Sequence, residues 1–532
     1  MLHRRDIPPD WEAAQMARGT KVIRNFYRDS VSLMQLSSTF AKLPGIEQAS
    51  AIMASANNLS LLKEAGLLDG TVEADANDLL IALARKRRGA RCRAHCRGVA
   101  LKQPAPTAGH GTSRAITPRS LEMGIRDMVT ANLALISTPG EYAAAEAFKA
   151  LRLGLNVMLF SDNVELWDEI ALKQFARAHD LIVMGPDCGT AIINGIPLAF
   201  ANVVTRGTIG VVAASGTGLQ QVTCLIDRWG HGISQAIGTG SHDLHRDVGG
   251  ISMLQGLNAL AADRSTSVIV LISKPPAPKV AEHVLETAGK AGKPVVVNFL
   301  GTDPARIRRA NVFPADTLEA AAAAAVALAE GRQPDAGRPP SSLRSIPPTF
   351  IHGQRYIRGL YSGGTFCYEA LLILKKNLGR IYSNTPVEPA DQLHDVWTSR
   401  EHTVIDLGDN LFTRGRPHPM IDHRLRNERI LKEAADPQVA VVLLDIVLGY
   451  GSHSDPAGEL APVLQQATGL AKKAGRQLAI IGFVCGTASD PQDLSKQEDT
   501  LRGAGMILAE SNAQAVRTAA AAVRASQAGA SS

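Results

Sequence analysis

Short apolar runs alternate with helical apolar periodicity along most of the chain from residue 118 onward. Residues 131–137, 156–160 and 209–212 are apolar runs, and each is followed by apolar positions at spacings of three and four. Buried strands and amphipathic helices produce these two patterns. Their regular alternation predicts βαβ units around parallel sheets, and therefore an α/β fold class.

The first part of the chain has a sparser pattern. It predicts a strand over residues 22–26, a helix capped by Asp29 or Ser30, and a second strand over residues 49–54. Helical patterns follow at residues 57–68 and 76–84. We assign these elements to an N-terminal α/β region that extends over residues 1–205.

One strand-end turn has the composition of an anion site. Ser215-Gly216-Thr217-Gly218 follows a β-branched run and opens a helix. Small residues allow close approach, backbone N–H groups point outward, and the helix dipole adds positive potential. A similar turn, Ser362-Gly363-Gly364-Thr365, recurs in the second half of the chain.

The order of the strand-end loops is also repeated. The segment over residues 206–332 and the segment over residues 351–532 both begin with a Ser-Gly turn and later carry a Gly-Thr loop that ends in Asp-Pro. A Pro/Ser-rich linker, residues 333–350, separates them. This repetition predicts an internal duplication of one flavodoxin-like domain.

Length and charge limit the number of domains and the kinds of partner that the chain is expected to have. The chain has 532 residues, which suggests three or four domains, and a formal net charge of +6. Seven Arg or Lys residues fall within residues 85–97, and without them the net charge is −1. Because this stretch has no interleaved aromatics, we expect no nucleic-acid partner. Cys92, His95 and Cys96 lie in it, but a metal site would lack a fourth ligand.

The sequence also predicts the compartment. No apolar run approaches the roughly 20 residues of a membrane span, and the N-terminus lacks a signal-peptide core. The six cysteines are scattered, which favours reduced thiols. We therefore expect a cytoplasmic protein with no membrane partner.

Several motifs together resemble a known family. The whole chain resembles the FdrA family, which joins a part similar to the α subunit of succinyl-CoA synthetase to a second ligase-like domain. The supporting stretches begin at Ser161, Met184, Ala214, Ser273 and Arg414, and read SDNV, MGPDCGT, ASGTGL, SKPPAP and RGRPHPMID. The resemblance implies an N-terminal Rossmann-like CoA-binding-type region followed by two flavodoxin-like, ligase-type domains.

The resemblance also implies an activity. FdrA proteins are implied to be the large subunit of oxamate carbamoyltransferase, which converts oxalurate and phosphate to oxamate and carbamoyl phosphate in allantoin and purine catabolism. Two further protein subunits and a homo- or hetero-oligomeric assembly are implied as partners. Two alternatives stay open: a CoA- and nucleotide-dependent acyl-CoA synthetase, and a non-catalytic scaffold subunit.

Two departures from succinyl-CoA synthetase affect the expected cofactors. Residues 299–311 contain no histidine where that ligase carries its phosphorylated one, which argues against a phosphohistidine. Residues 27–32 contain no glycine where its CoA-binding domain has a Gly-rich turn, which argues against CoA. Phosphate is expected as a substrate, and Mg²⁺ on Asp409, Asp445 or Asp455 stays an open alternative, although no ligand spacing defines a metal site.

The predicted site residues lie in the strand-end loops. The two turns are assigned to phosphate, through Ser215, Gly216, Thr217, Gly218, Ser362, Gly363, Gly364 and Thr365. The catalytic candidates are His418 and His242 as acid or base and Arg414 and Arg416 as an oxyanion clamp, with His453 as a weaker candidate. Substrate binding is assigned to Asp187, Cys188, Gly240, Gly486 and Thr487.

Overall fold

The computed structural model describes residues 17–85, 118, 120–334, 350, 353–414 and 416–529. These residues divide into two compact units. The first has the bounds Met1–Asn132 and Arg414–Pro417, and the second has the bounds Leu133–Thr413 and His418–Ser532. Most of the basic stretch 85–97, with Cys92, His95 and Cys96, and most of the predicted linker 333–350 lie outside the described residues.

The N-terminal unit is built on an antiparallel sheet. Its elements are β1 (Ala17–Ile23), α1 (Ser30–Ala41), β2 (Ile46–Met53), α2 (Ala56–Glu64), β3 (Leu79–Arg85) and α3 (Leu121–Asp127). The strand order is β1-β3-β2, and both pairings are antiparallel. Asp29 caps α1 by accepting from the Ser32 N–H at 2.9 Å, as the sequence predicted.

The predicted helix at residues 76–84 is wrong, because β3 occupies this segment. Leu79 and Ile81 pack with α1 in one apolar cluster, whereas Leu80 and Ala82 pack with α2 in another. This alternation is the period of two that a strand requires. A strand buried on both faces reads as a continuous Leu/Ala run, and such a run resembles a buried helix.

A small parallel sheet opens the second unit. Its elements are β4 (Leu133–Ile136), α4 (Gly140–Arg152), β5 (Asn156–Leu159), α5 (Leu166–Ala178) and β6 (Val183–Met184). The strands pair in parallel in the order β4-β5-β6. These elements lie where the apolar pattern predicted them.

A seven-stranded sheet follows, in the order β13-β12-β11-β9-β10-β7-β8. β7 and β8 form an antiparallel hairpin beside β10, and the other pairings are parallel. The elements are β7 (Thr190–Ile193), β8 (Ile196–Ala199), β9 (Arg206–Ala213), α6 (Gly216–Arg228), β10 (Ile233–Gly238), α7 (Ile251–Ala262), β11 (Val268–Ser273), α8 (Pro278–Gly289), β12 (Val295–Phe299), α9 (Pro304–Ile307), β13 (Val312–Pro314) and α10 (Leu318–Ala329).

A five-stranded parallel sheet completes the unit, in the order β15-β14-β16-β17-β18. Its elements are β14 (Tyr356–Tyr361), α11 (Gly364–Leu378), β15 (Thr403–Asp406), α12 (Asn410–Thr413), α13 (Arg424–Ala435), β16 (Val439–Val447), α14 (Pro456–Lys473), β17 (Ala479–Cys485), α15 (Leu494–Gly503), β18 (Ile507–Ala509) and α16 (Asn512–Gly529).

The two larger sheets repeat one topology. In each, the first strand lies between the second and the third, and the fourth and fifth follow outward. This is the flavodoxin-like order 2-1-3-4-5, so the predicted duplication is confirmed. The α/β class with parallel sheets is confirmed for the second unit.

Two expectations about the chain's chemistry can be checked on the described residues. The four described cysteines, Cys188, Cys224, Cys367 and Cys485, are buried and form no disulfide. Among the helices described, none combines the length and the apolarity that crossing a membrane demands.

Candidate functional site

The two Gly-rich turns meet at the carboxyl ends of the first strands of the duplicated sheets. The Ser215 Oγ and Thr365 Oγ1 atoms lie 2.6 Å apart. Ser215 caps α6 by accepting from the Gly218 N–H at 2.9 Å. A Cβ on Gly363 would lie 2.7 Å from Thr217 Cγ2, so the second turn needs glycine for this approach.

The N-termini of α6 and α11 therefore open into one place. In each helix the first N–H groups have no intrahelical acceptor. Gly216 and Thr217 in α6, and Gly364 and Thr365 in α11, donate from their backbone to no other described residue. Each helix end also carries roughly half a positive charge, so the pair is suited to an oxyanion.

The Asp445 carboxylate holds the second turn in place through hydrogen bonds. Its buried carboxylate accepts from the Ser362 N–H at 2.9 Å, the Ser362 hydroxyl at 2.7 Å and the Gly363 N–H at 3.1 Å. Arg426 pairs with it at 3.1 Å. Burial raises the pKa of the Asp445 carboxyl. Ser362 and Asp445 thus satisfy each other, and the assignment of Ser362 to phosphate is wrong.

The magnesium alternative receives no support from these carboxylates. Asp409 accepts from the Leu411 N–H at 2.8 Å, and Asp455 caps α14 by accepting from the Gly458 N–H at 3.2 Å. Each acidic side chain therefore stabilises its own loop or helix end.

Lys274 and Asp406, which the sequence did not single out, lie next to the paired turns. A Cβ on Gly364 would lie 2.5 Å from Asp406 Oδ2 and 3.3 Å from Lys274 Nζ. Lys274 follows β11 and is exposed, whereas Asp406 ends β15 and is buried. Burial raises the pKa of the Asp406 carboxyl to about 6, and the Lys274 charge opposes this shift. Lys274 could have been found as the basic residue of a strand-end loop.

His418 lies beside this pair. A Cβ on Gly408 would be 3.0 Å from His418 Nε2, and the Gly408 N–H donates to Asp406 Oδ1 at 2.9 Å. His418 Nδ1 accepts from the Met420 N–H at 3.2 Å. Desolvation lowers the pKa of His418 to about 4, so its imidazole is neutral at physiological pH. Its catalytic role stays a prediction.

The two arginines of the predicted oxyanion clamp do not belong to the unit that contains the two turns. Arg414 and Arg416 are exposed and belong to the N-terminal unit. Arg414 forms an exposed ion pair with Glu64 of the same unit at 3.6 Å. The structure gives the clamp no support.

A hydrogen bond joins the loop that carries Asp187 to the loop that carries His242. The Ser241 hydroxyl donates to Asp187 Oδ2 at 2.9 Å. Asp187 keeps contact with solvent, but the surrounding loops desolvate it and raise the pKa of its carboxyl to about 6. The charges of both His242 and Lys274 lower that pKa, which links Asp187 to both residues.

Gly240 positions these loops. Its φ angle is +86°, and a Cβ there would lie 2.2 Å from the Pro186 carbonyl oxygen. Gly240 is therefore required for close packing against the cis Gly185-Pro186 turn, and no ligand is needed to explain it.

Three residues assigned to substrate are structural. Cys188 is 2% exposed, and burial raises the pKa of its thiol to about 12. Thr487 is fully buried, and its hydroxyl donates to the Val203 carbonyl at 2.6 Å. The Gly486 carbonyl accepts from Arg228 Nε at 2.8 Å. The substrate-binding assignments of Cys188, Gly486 and Thr487 are therefore wrong.

His453 belongs to a separate cluster with His423 and Glu459. Glu459 lies 3.1 Å from His423 Nδ1 and 3.5 Å from His453 Nε2. The Asp455 N–H donates to His453 Nδ1 at 3.1 Å, so the proton of a neutral His453 is on Nε2 and faces Glu459. Glu459 is thus a partner for both imidazole rings. The proton on His453 Nε2 disfavours a metal ion at that atom.

Comparisons with family models divide the chain into three matched segments. Residues 16–114 match "AllF, heavy metal-associated domain", residues 205–301 match "CoA binding domain" and residues 360–522 match "CoA-ligase". The CoA-binding match contains the Ser215 turn, whereas the glycine-free turn at residues 27–32 lies in the AllF-type match. The lack of glycine there consequently has no bearing on CoA binding.

The AllF-type description implies a heavy metal. Residues 17–85 contain no cysteine and no histidine, which are the side chains that bind soft metals best. The described part of this domain therefore does not fit a heavy-metal site.

Two sequence relatives and one solved structure are similar to parts or most of this chain. YahF of Escherichia coli is 43% identical over 491 residues, which cover 92% of this chain and 95% of YahF. The α subunit 1 of the ADP-forming succinate–CoA ligase of Archaeoglobus fulgidus is 26% identical over 175 residues, 32% of this chain and 58% of that subunit. The solved acetyl-coenzyme A synthetase 1 of Ca. Korarchaeum cryptofilum has a TM-score of 0.32 and 14% identity over 75% of this chain and 83% of its own.

These comparisons correct the enzyme class. The carbamoyltransferase prediction is wrong, because two of the matched models are CoA-type domains and the relative named for an activity is a CoA ligase. The resemblance to FdrA is confirmed at the coarser level of an AllF-type, succinyl-CoA-synthetase-like architecture. With such identity over nearly the full length of both chains, the protein belongs to the YahF family of succinyl-CoA-synthetase-like proteins.

Proposed function

We propose that this protein is a subunit of an acyl-CoA synthetase of the succinate–CoA ligase type, and that its paired turns hold the phosphate group of an acyl phosphate. The contact between Ser215 and Thr365 carries this proposal, because it directs two helix N-termini at one position. Lys274 adds a full positive charge at the same place.

The proposed step is acyl transfer between phosphate and CoA. The CoA thiolate attacks the carbonyl carbon of the acyl phosphate, a C–S bond forms, and the C–O bond to phosphate breaks. Phosphate leaves with the electron pair of that bond, and the thiol proton passes to solvent or to a nearby base. The reverse direction converts acyl-CoA and inorganic phosphate to acyl phosphate and CoA.

The paired turns stabilise the group that gains charge in this step. As the C–O bond breaks, negative charge grows on phosphate oxygens that face the N–H groups of α6 and α11. Preorganised donors at such a position stabilise a transition state because they need no reorganisation. Lys274 strengthens the effect, and Asp406 in its protonated form would donate a further hydrogen bond.

Residues 299–311 contain no histidine that could be phosphorylated. We therefore propose only the acyl transfer between phosphate and CoA, and not a step through a phosphohistidine. A phosphate held at the turns would react directly with the acyl group, without transfer of a phosphoryl group to a residue of that loop. The CoA-binding match over residues 205–301 includes the first turn and so supports CoA as the acyl acceptor.

The test is a thiol-release assay. The protein is mixed with a panel of short acyl-CoA and dicarboxylyl-CoA esters, with and without inorganic phosphate, and free CoA is measured with a thiol reagent. We expect phosphate-dependent release for at least one ester, trapped as a hydroxamate with hydroxylamine. A Ser215→Ala/Thr365→Val double variant should lose most of it. Ser267→Ala is a matched control, because the one hydrogen bond that this exposed hydroxyl forms with a described residue goes to the Thr208 carbonyl, at 3.3 Å.

The proposal fails if CoA does not bind in calorimetry and no ester is cleaved in a phosphate-dependent way. It also fails if the double variant, correctly folded, keeps full activity.

A further inference from the structure

A fully buried ion cluster lies beneath the loop that carries His242. Lys173, on α5, has no exposed surface. Its Nζ atom lies 2.8 Å from Glu169 Oε1, 2.8 Å from Asp243 Oδ1 and 3.0 Å from the Thr239 carbonyl oxygen. The three N–H bonds of the ammonium are therefore all used.

This lysine fixes both ends of the His242 loop. Thr239 and Asp243 flank residues 240–242, and Lys173 binds both. Asp243 is held further by the N–H groups of Ser252 at 3.1 Å and Met253 at 2.8 Å, at the start of α7. Lys173, on helix α5, thus fixes the position of the loop that carries His242.

Glu169 directs its second oxygen at His242. Glu169 Oε2 is buried, accepts no hydrogen bond from any described residue, and lies 3.4 Å from His242 Nδ1. Lys173, Glu169 and Asp243 together carry a net charge of −1, and none of their side chains is more than 1% exposed. An uncompensated buried charge is costly, and a protonated His242 would neutralise it.

We propose that Glu169 and Lys173 are positioning residues that hold His242 as an imidazolium, which serves as a cationic ligand and proton donor for an oxyanion bound at the exposed side of its ring. His242 is half-exposed, so one side of its ring meets the cluster and the other meets solvent. This assigns His242 the acidic role. The inference rests on the proposed function only for the identity of the anion.

The other charges around His242 agree with this assignment. Glu169 raises the pKa of His242 most, Asp187 raises it further, and burial and Lys173 act in the opposite direction. The His245 ring lies 5.0 Å from the His242 ring, and burial and the His242 charge lower the pKa of His245. The pKa values of the two neighbouring imidazoles are thereby shifted in opposite directions.

The test is an NMR titration of the histidine rings in the full chain, without CoA. The His242 signal is identified by its loss in His242→Gln. We expect the wild-type pKa of His242 to lie above its ordinary value and to fall by about one unit in Glu169→Gln. Glu169→Asp, which keeps the charge on a shorter side chain, should lie between them.

Glu330→Gln is the matched control, because Glu330 pairs with a different histidine, His231, at 3.1 Å, and that change should leave the pKa of His242 unaltered. Saturating sulfate should raise the pKa of His242 further. A wild-type value at or below the ordinary one overturns the proposal, even if Glu169→Gln does not fold. A value that sulfate leaves unchanged overturns the assignment as an anion ligand. Both outcomes are independent of CoA chemistry, so they are distinct from failure of the proposed function.

Discussion

Ser215 and Thr365 are 150 positions apart in the chain, and their hydroxyl oxygens lie 2.6 Å apart. Each residue belongs to the first strand–helix junction of one flavodoxin-like repeat. The duplicated fold therefore brings equivalent turns face to face, and an anion between them would meet the N-termini of two helices.

The hydroxyl of Ser215 has two separable effects. Ser215→Ala should lower the free energy of unfolding by about 1 kcal/mol, because the Gly218 N–H loses its cap. Both Ser215→Ala and Thr365→Val should weaken sulfate binding about tenfold, the loss of roughly one hydrogen bond to a charged group. Calorimetric titration measures the binding, and Thr365→Ser should retain it. Equal sulfate affinity in all four proteins would contradict the assignment.

The close approach of the two turns depends on glycine. Gly363→Ala and Gly364→Ala place a methyl group 2.7 Å from Thr217 Cγ2 and 2.5 Å from Asp406 Oδ2. These variants should separate the helix ends and abolish sulfate-dependent thermal stabilisation. Gly469→Ala is the control, because Gly469 lies within α14 with open space around it. That change should stabilise the protein by about 0.5–1 kcal/mol.

Lys274 should supply the full charge of the anion site. Lys274→Met should reduce sulfate affinity by tenfold or more, and Lys274→Arg should restore part of it. Affinity of the wild type should fall as sodium chloride is added, and the Met variant should show a shallower dependence. An unchanged affinity in Lys274→Met would remove this residue from the site.

Asp406 should make anion binding depend on pH. Its carboxyl has a pKa of about 6, so it is neutral below that pH and negative above it. Sulfate stays a dianion across this range, and its affinity should therefore fall as pH rises through about 6. Asp406→Asn should flatten this step. Asp187→Asn is the comparison, because Asp187 also has a pKa of about 6. A step that survives in Asp406→Asn would assign the titration elsewhere.

Glu369 should make stability depend on pH at a site away from the anion. Its carboxylate accepts from the Leu318 N–H at 2.7 Å and from Asn512 Nδ2 at 2.8 Å, and burial raises its pKa to about 7. The native state thus binds more protons than the unfolded state between about pH 4.5 and 7, and stability should fall over that window as pH rises.

Glu369→Gln should remove this dependence, which amounts to at most roughly 3 kcal/mol. Urea unfolding at pH 5 and pH 7.5 measures it. A stability difference between these two pH values that is the same in the variant and the wild type would contradict the assignment to Glu369.

The sequence predicted the turns well because local chemistry defines them. A strand, a Ser-Gly turn and a helix can be recognised within a dozen residues, and topology places such turns at the carboxyl edge of a sheet. The repeat of the loops then predicted the duplicated strand order. β3 was missed because its Leu/Ala run contains a single β-branched residue, Ile81, whereas strands are usually rich in such residues.

The remainder of the site depends on which loops meet, and local patterns do not contain that information. Lys274 and Asp406 lie on different repeats, and only the contact between the repeats brings them to Gly364. The prediction for Arg414 and Arg416 rests on the bidentate match of a guanidinium group to an oxyanion, which does not show which loops meet. Gly486 and Thr487 were assigned from a loop motif whose hydrogen bonds hold two segments of the fold together.

A crystal structure with bound phosphate would show whether the two turns hold the anion. We expect one phosphate between the N-termini of α6 and α11, within hydrogen-bonding distance of the Thr217 and Thr365 N–H groups and of Lys274 Nζ. The Ser215→Ala/Thr365→Val variant should show weaker density there under the same soak. Phosphate bound elsewhere, with the space between the two turns empty at saturating concentration, would contradict this expectation.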